Sequence, residues 1–273
     1  MSSEINLSAA VRENLLALKG AETLISRTQN RLSTGLKVAT PVDDARIYFE
    51  AKALSDRARD IDEKKEGVDQ SISSVQTALE AIDGIDKLVQ QMKGIAISAK
   101  TATGTELSAL QLQFNELRTQ VDNLARDAVY QGLNLVNGTG QSLDVYFSTD
   151  STSVLNIASV DLRVGSLGLS ITSAASFSLG TVLDASLTEI QSAIGTLRGQ
   201  AQSLASNIAI LKTRLEFNKS YVNLHEGGAG KLNLADVTEE GANLVALQTR
   251  QQLGINALSF AGRAEQAILQ LFQ

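Results

Sequence analysis

Apolar residues recur along most of this chain at alternating steps of three and four, which is the spacing of one face of a helix. Of the thirteen positions that this step visits between 47 and 89, eleven are apolar, and between 187 and 215 all nine are. The step also runs through 105–130 and, less regularly, through 5–34. A repeat sustained over six heptads is typical of coiled-coil-like packing. The pattern predicts four long helices, the first ending at Gly35, a residue suited to a left-handed C-terminal position.

The last segment, 237–273, differs from the other helical segments because its apolar residues fall on every face. From Gly241 onward only three of 33 residues are charged. A helix that is apolar all round must be buried on all sides. We therefore expect a fifth helix here, buried between several copies of the protein.

The middle of the chain, 132–186, is rich in Gly, Ser and Thr and poor in charge. Alternation of apolar and polar residues in 143–147 and in 160–170 predicts short strands, and Asn137-Gly138 is a hairpin-type turn. We expect a small β insert at about 139–186, followed by the helix that carries the heptads after 187.

The one proline lies between the first two helices and predicts where the second begins. Thr40 is a good N-cap, Pro41 fits the first helical position, and Asp43 stands three residues after Thr40. Asp43 and Asp44 also place negative charge at the positive end of the helix dipole. We expect the second helix to begin at Pro41. The helix that covers 187–215 should end near 225–231, where three glycines interrupt it.

Composition excludes several classes of function. There is no cysteine and a single histidine, and no H-E-x-x-H, G-x-S-x-G, P-loop or G-x-G-x-x-G motif occurs. We therefore expect no enzyme, no metal and no cofactor. A net charge of −6 argues against a nucleic-acid partner, and no apolar run is long enough to span a membrane. The first residues lack a basic region and a continuous apolar stretch, so we expect no cleaved signal peptide.

Three stretches of the sequence carry a family resemblance. "RLSTGLKV" at 31–38 is followed by two aspartates and an alanine, and "FNELRTQVDNLARDAVYQGLNLVNG" occupies 114–138. "TRQQLGINALSFAGRAEQAILQLF" occupies 249–272. In this order they resemble bacterial flagellin, over roughly 1–138 and 187–273. The chain is similar to a short form that lacks the large outer domains of many relatives.

The resemblance implies a mainly α fold with long antiparallel coiled-coil-like helices, paired terminal helices and a small β-hairpin insert. It implies inner-tube helices at 1–36 and 237–273, a rod domain at 43–236 and a spoke linker at 33–43. The function implied is that of a structural subunit of the flagellar filament, a helical homopolymer for swimming motility. The terminal helices would fold on assembly. The implied location is extracellular, in the filament, after type III export, with an export chaperone, a filament cap and junction proteins as further partners.

Site residues follow from the same resemblance. The inner-tube assembly interface is expected at Val11, Leu15, Leu18, Ile25, Leu244, Leu247, Leu258, Phe260, Ile268 and Leu271. The spoke residues are Gly35, Pro41, Asp43 and Asp44. The rod core is expected at Leu54, Ile61, Ile72, Leu79, Leu117, Leu124, Ile194, Leu204 and Leu211. Gln91, Lys93 and Gly94 lie in a stretch that many relatives present to an animal Toll-like receptor, with Gln91 and Gly94 where Arg and Glu would be expected.

Two other functions fit the residues. A hook–filament junction protein shares the terminal helices but does not polymerise by itself. A cytosolic coiled-coil adaptor would explain the heptads but not the almost uncharged last helix.

Overall fold

Long helices and one small sheet make up the fold. The computed structural model describes residues 9–165, 167–174, 177 and 180–271, of which 10, 180 and 265–271 are described by their backbone alone. The elements in chain order are α1 (Ala9–Thr34), α2 (Ala45–Ala99), α3 (Thr105–Asp127), β1 (Ser142–Tyr146), β2 (Val154–Ala158), α4 (Gly180–Asn233) and α5 (Val237–Leu271). The predicted mainly α fold with paired terminal helices and a β hairpin is confirmed.

The chain divides into two compact units, whose limits fall inside α2 and α4. Unit 1 consists of Met1–Asp56 and Leu224–Gln273, and unit 2 is Arg57–Asn223. The division into 1–36, 33–43, 43–236 and 237–273 expected from the resemblance remains a prediction about the assembled protein.

Unit 2 has a continuous core because three helices bring their apolar faces together. Residues of α2, α3 and α4 belong to one cluster of buried side chains. The buried positions of α2 in this cluster are three or four residues apart for most of its length, as the heptad pattern requires: Val68, Ile72, Val75, Ile82, Ile85 and Val89. α4 runs antiparallel to α2, since Lys100 pairs with Asp184 while Ala58 packs with Val222.

The hairpin covers part of this core with one face. β1 and β2 are antiparallel, with Val145 opposite Leu155 and Leu143 opposite Ile157. Val145 and Ile157 are buried, and their neighbours along each strand are more exposed, which is the alternation of a sheet with one face toward a core.

The second predicted strand was placed wrongly. The described residues of 160–170 form no strand, and β2 precedes them. Backbone groups in and just after this segment bond instead to side chains of α3: the Val164 N–H donates to Asp122 Oδ1 at 2.9 Å, and Arg118 Nε donates to the Ile171 carbonyl, also at 2.9 Å. The segment thus lies along α3 without pairing to the sheet.

The sequence suggested that the Asn137-Gly138 turn connects two strands, but in the structure it does not connect β1 to β2. β1 and β2 are joined after Phe147, whose N–H donates to the Ser153 carbonyl at 3.0 Å. Gly138 has φ 67° and donates its N–H to the Val160 carbonyl at 3.2 Å, beside the Asn137–Asp161 bridge. A Cβ at Gly138 would lie 2.4 Å from the Asp161 Cβ, so only glycine fits this position.

Helix limits differ from the predictions at both ends of the long helices. α2 begins at Ala45 and not at Pro41, because the Asp44 side chain accepts the Ile47 N–H at 3.0 Å and so caps the helix. α3 ends at Asp127, before the predicted 130. α4 begins at Gly180, so residues expected at the end of the β insert are helical.

α4 also continues through the three glycines at 227–230 as far as Asn233, where a break was predicted. Each glycine in a helix is unfavourable by only about 1 kcal/mol relative to alanine. Packing in unit 1 outweighs that preference, since a Cβ at Gly228 would already lie at contact distance, 3.4 Å, from Leu54 Cδ1.

Candidate assembly site

α1 and α5 form an antiparallel pair in unit 1. Near one end, Arg31 Nη1 lies 2.7 Å from Glu240 Oε1, and farther along the pair Gly254 faces Leu18. A Cβ at Gly254 would lie 3.0 Å from Leu18 Cδ2, so the absence of a side chain at Gly254 allows the two helices to approach closely. Glu240 is 8% exposed, and its charge is compensated by the Arg31 guanidinium.

The α1–α5 pair leaves many large apolar side chains in contact with solvent. Leu16 of α1 is 70% exposed, and Leu253 and Phe260 of α5 are 63% and 67% exposed. The other exposed large apolar residues among the described side chains of these helices are Leu15, Leu24, Val237, Val245 and Ile255. Exposed apolar side chains in this number indicate a contact site between proteins, because they gain free energy only when they are covered.

The predicted interface residues fall into three groups in the structure. Val11 and Ile25 are already buried in the single chain. Leu15 and Phe260 are exposed. The half-buried group is Leu18, Leu244, Leu247 and Leu258. The side chains of Ile268 and Leu271 lie outside the described residues.

Sequence reasoning missed Leu16 and Leu24 as surface residues of α1. Their signal was present, since Leu16 adjoins Leu15 and Leu24 adjoins Ile25, so that α1 is apolar on two neighbouring faces. The prediction followed one stripe of apolar residues at steps of three and four, and Leu16 and Leu24 lie on the face beside that stripe.

The connector after α1 is held by the segment that joins α4 to α5. The Lys37 N–H donates to the Asn233 carbonyl at 2.7 Å, and the Ala235 N–H donates to the Gly35 carbonyl at 2.9 Å. Leu36 and Leu234 face each other as an antiparallel bridge. Gly35 has φ 70°, and its N–H closes the last turn of α1 on the Arg31 carbonyl. The two connectors of unit 1 therefore fix each other.

The two aspartates of the spoke have different roles. The Asp43 carboxylate accepts the Thr40 N–H at 2.9 Å, the Thr40 hydroxyl at 3.0 Å and the Ala39 N–H at 3.2 Å. These hydrogen bonds, above all the one from the Thr40 backbone, lower the pKa of Asp43 from its ordinary value. Asp44 caps α2, while Pro41 lies exposed in the turn that precedes both aspartates.

The residues predicted for the rod core are all at least half-buried. Those that are buried are Ile61, Ile72, Ile194, Leu204 and Leu211. Those that are half-buried are Leu54, Leu79, Leu117 and Leu124. In the stretch compared with the receptor-binding region, Gln91 and Gly94 are exposed on α2 and Lys93 is half-buried.

The described part of the chain contains no group of three or more acidic or histidine side chains placed to hold a metal ion. Across the same residues, no helix combines the length and apolar character needed to cross a membrane.

Comparisons with known proteins agree with this geometry. The family model for the bacterial flagellin N-terminal helical region matches residues 5–141. The flagellin FljO of Caulobacter vibrioides is 32% identical over 99% of each chain, and a flagellin of Brucella melitensis is 27% identical over 97% of this chain and 99% of that protein. Among solved structures, a protein described as flagellar hook-associated from Vibrio parahaemolyticus superposes on 70% of this chain and on all of its own, with a TM-score of 0.59 and 12% identity, a likeness of fold alone.

The sequence identity to a flagellin exceeds 30% over nearly the whole chain, so the similarity covers both units. The family model independently matches the first half of the chain. The protein is therefore not an enzyme but a structural subunit of the flagellar filament, and it belongs to the bacterial flagellin family.

Proposed function

We propose that the α1–α5 pair is the main contact by which copies of this chain polymerise. In this proposal 1–36 and 237–273 form the inner layer of the filament, 43–236 forms the outer layer, and 33–43 is the spoke between the layers. The observation that carries the proposal is the exposed apolar surface of the pair, with Leu253 and Phe260 each more than 60% exposed.

The same surface supports folding of the terminal helices on assembly. Ordering a residue costs about 1–2 kcal/mol of backbone entropy, and burial repays about 25 cal/mol for each Å² of apolar surface. A pair of helices can bury only the seam between them, so the outward apolar side chains do not offset the ordering cost in a single chain. Contacts with neighbouring copies supply the missing burial, and head-to-tail contacts continue as an open helix.

Limited proteolysis of monomer and filament tests this proposal. Trypsin should cut after Arg12, Lys19 and Arg250 rapidly in the monomer and slowly in the filament. Sites in unit 2 serve as the internal control and should be slow in both states, because their backbone is held by a complete core. Equal protection of the terminal helices in monomer and filament would contradict folding on assembly.

Export and partners form a further part of the proposal. The subunit leaves the cell through the flagellar type III channel without losing a signal peptide, and it meets an export chaperone, a filament cap and junction proteins. The mass of the protein sheared from cells tests the first point, since a cleaved leader would shorten it by at least about fifteen residues. Growth of purified protein on filament fragments separates a filament subunit from a junction protein, which would not elongate them.

We also propose weak activation of the Toll-like receptor for flagellin. Gln91 and Gly94 are exposed on α2, and they stand where the resemblance to flagellins leads us to expect Arg and Glu. Reporter cells should respond weakly to this protein and more strongly to the Gln91→Arg, Gly94→Glu variant. A potency equal to that of an enteric flagellin would contradict this prediction.

A further inference from the structure

Two adjacent pockets in unit 1 share the same pair of arginines. One, of about 300 Å³, lies between α1 and α5, and the other, of about 460 Å³, lies between α1 and the connector that follows it. Arg27 and Arg31 line both, Arg250 lines the first, and Lys37 lines the second. We call these four cations and the two pockets the basic groove.

The charges of the basic groove are only partly compensated within the chain. Arg31 pairs with Glu240. Among the described residues, the side chains of Arg27, Lys37 and Arg250 have no carboxylate within salt-bridge distance.

The one other carboxylate in the groove, Asp43, already accepts three hydrogen bonds from Ala39 and Thr40. The groove therefore has four cations against two carboxylates. Glu240 compensates only Arg31, and Asp43 is occupied by Ala39 and Thr40. An arginine presents a planar set of donors that matches a carboxylate, so the groove suits acidic side chains better than it suits apolar ones.

The chain itself contains a segment of the opposite character. Residues 60–69 of α2 hold five acidic side chains and two lysines. Asp60, Glu63 and Glu66 are exposed and three residues apart, which places neighbouring members of the set close together on the helix surface. Of the two lysines, Lys65 is paired with Asp62, and no described cation lies within salt-bridge distance of Asp60, Glu63 or Glu66.

We propose that in the filament the basic groove of one copy binds the acidic segment 60–69 of a second copy. The proposal rests on the self-assembly of this chain and names a polar contact beyond the apolar surface of α1 and α5. Two basic grooves repel each other, and so do two acidic segments, whereas a groove and a segment attract each other. The contact therefore also determines which surfaces of two copies can meet.

Charge reversal in the groove tests the proposal directly. The Arg27→Glu, Arg250→Glu variant should raise the critical concentration for polymerisation about tenfold, which corresponds to about 1.4 kcal/mol. Both side chains are exposed, and no carboxylate of the described residues pairs with them, so the helical circular dichroism of the monomer should not change. Lys19→Glu is the matched control, since it reverses an exposed charge on α1 outside the groove and should leave the critical concentration within twofold of the wild type.

A complementary variant identifies the occupant. Asp60→Lys, Glu63→Lys should also polymerise poorly alone, because its lysines meet an unaltered groove. An equimolar mixture of the two variants should polymerise at nearly the wild-type concentration, since each groove then meets a segment of opposite charge. Inorganic phosphate at 10 mM should leave the wild-type critical concentration unchanged if the groove is built for a neighbouring chain.

Three results would overturn the proposal: growth of the groove variant at the wild-type concentration, failure of the mixture to grow, or inhibition of the wild type by phosphate alone. Failure of the wild type to polymerise would instead overturn the proposed assembly through α1 and α5. The two proposals are thus tested separately by the same set of proteins.

Discussion

Unit 1 and unit 2 are both built mainly from long helices, yet they differ in how completely they bury their side chains. The largest fully buried side chains of the described structure, which include Phe114, Ile190 and Leu211, all belong to unit 2. Unit 1 is the smaller unit, but it holds twelve of the twenty exposed large apolar residues among those described. The excess of exposed apolar surface is therefore concentrated in the part of the chain that contains α1 and α5.

The number of elements that close around a core explains this difference. In unit 2 the helices are joined by the hairpin and by the segment that lies along α3, which is held by bonds such as the one from Asn115 to the Ala174 carbonyl. In unit 1 the pairing of α1 with α5 buries a single seam. From this comparison we expect unit 2 to be stable as a single copy, and we expect unit 1 to depend on contacts with other copies, as proposed above.

Removing a large side chain from the core of unit 2 should give the largest effect. Phe114 is fully buried and lies edge-to-face with Phe177 at 5.2 Å between ring centroids. Phe114→Ala should lower the free energy of unfolding of the monomer by about 3–5 kcal/mol, because it leaves a cavity. Urea unfolding below the critical concentration measures this change. A loss under 1 kcal/mol would show that unit 2 is not self-sufficient.

The corresponding change in unit 1 should act on assembly and not on the monomer. Phe260→Ala should leave the monomer's free energy of unfolding within about 0.5 kcal/mol, since the ring is exposed. In the filament the lost burial is about 1.5–3 kcal/mol, which raises the critical concentration roughly ten- to a hundredfold. Gln248→Ala, an exposed polar change on the same helix, is the control. Equal critical concentrations for the two variants would remove Phe260 from the interface.

Periodicity predicted the long helices α2 and α4 because a heptad pattern of this length has no competing interpretation as a strand or loop. In unit 1, α1 was predicted from a less regular stripe and α5 from its almost uncharged composition. The exact ends were harder to predict. At 40–44 two overlapping cap signals compete, and only the geometry shows that Asp43 bonds back to Thr40 while Asp44 caps α2. Alternation of apolar and polar residues is clear in 160–170, whereas 154–158 contains only one polar residue, Asn156, so the pattern favoured the wrong segment as the second strand.

The candidate site could be predicted only in part from the sequence. The almost uncharged composition of α5 indicated an interface, but which residues face outward depends on how α1 is rotated against α5. The Arg31–Glu240 pair joins residues 209 positions apart, and the bond from Ala235 to Gly35 spans a similar separation. No local pattern in one sequence contains such pairings. The unpaired state of Arg27 and Arg250 likewise follows only from the folded structure.

A smaller effect should follow from removing the N-terminal cap of α2. This cap lies in the part of α2 that belongs to unit 1. Asp44→Ala should destabilise the first turn of α2 by about 1 kcal/mol, because the Ile47 N–H loses its acceptor. Hydrogen exchange at the Ile47 amide should become about fivefold faster. Thr40→Ala is the control, since Thr40 was the cap predicted from the sequence and the structure gives it no bond to the helix. Faster exchange in the Thr40 variant than in the Asp44 variant would contradict this assignment.

The smallest expected effect is a pH dependence that again distinguishes the units. The pKa of Asp161 in unit 2 is lowered chiefly by its hydrogen bonds with the Arg163 side chain, and the pKa of Asp43 in unit 1 is lowered by Thr40. A carboxyl whose pKa is lower in the folded state stabilises the fold above its unfolded value, near 3.8, and loses that contribution as the pH falls through its folded value. The difference in the free energy of unfolding between the wild type and Asp161→Asn should therefore be constant from pH 5 to 7 and should shrink below about pH 3.8. Asp43→Asn should show the same direction with a smaller amplitude, because an exposed carboxylate is well screened by water. Urea unfolding at a series of pH values measures both differences, and a difference for Asp161→Asn that grows on acidification would contradict the assigned role of Arg163.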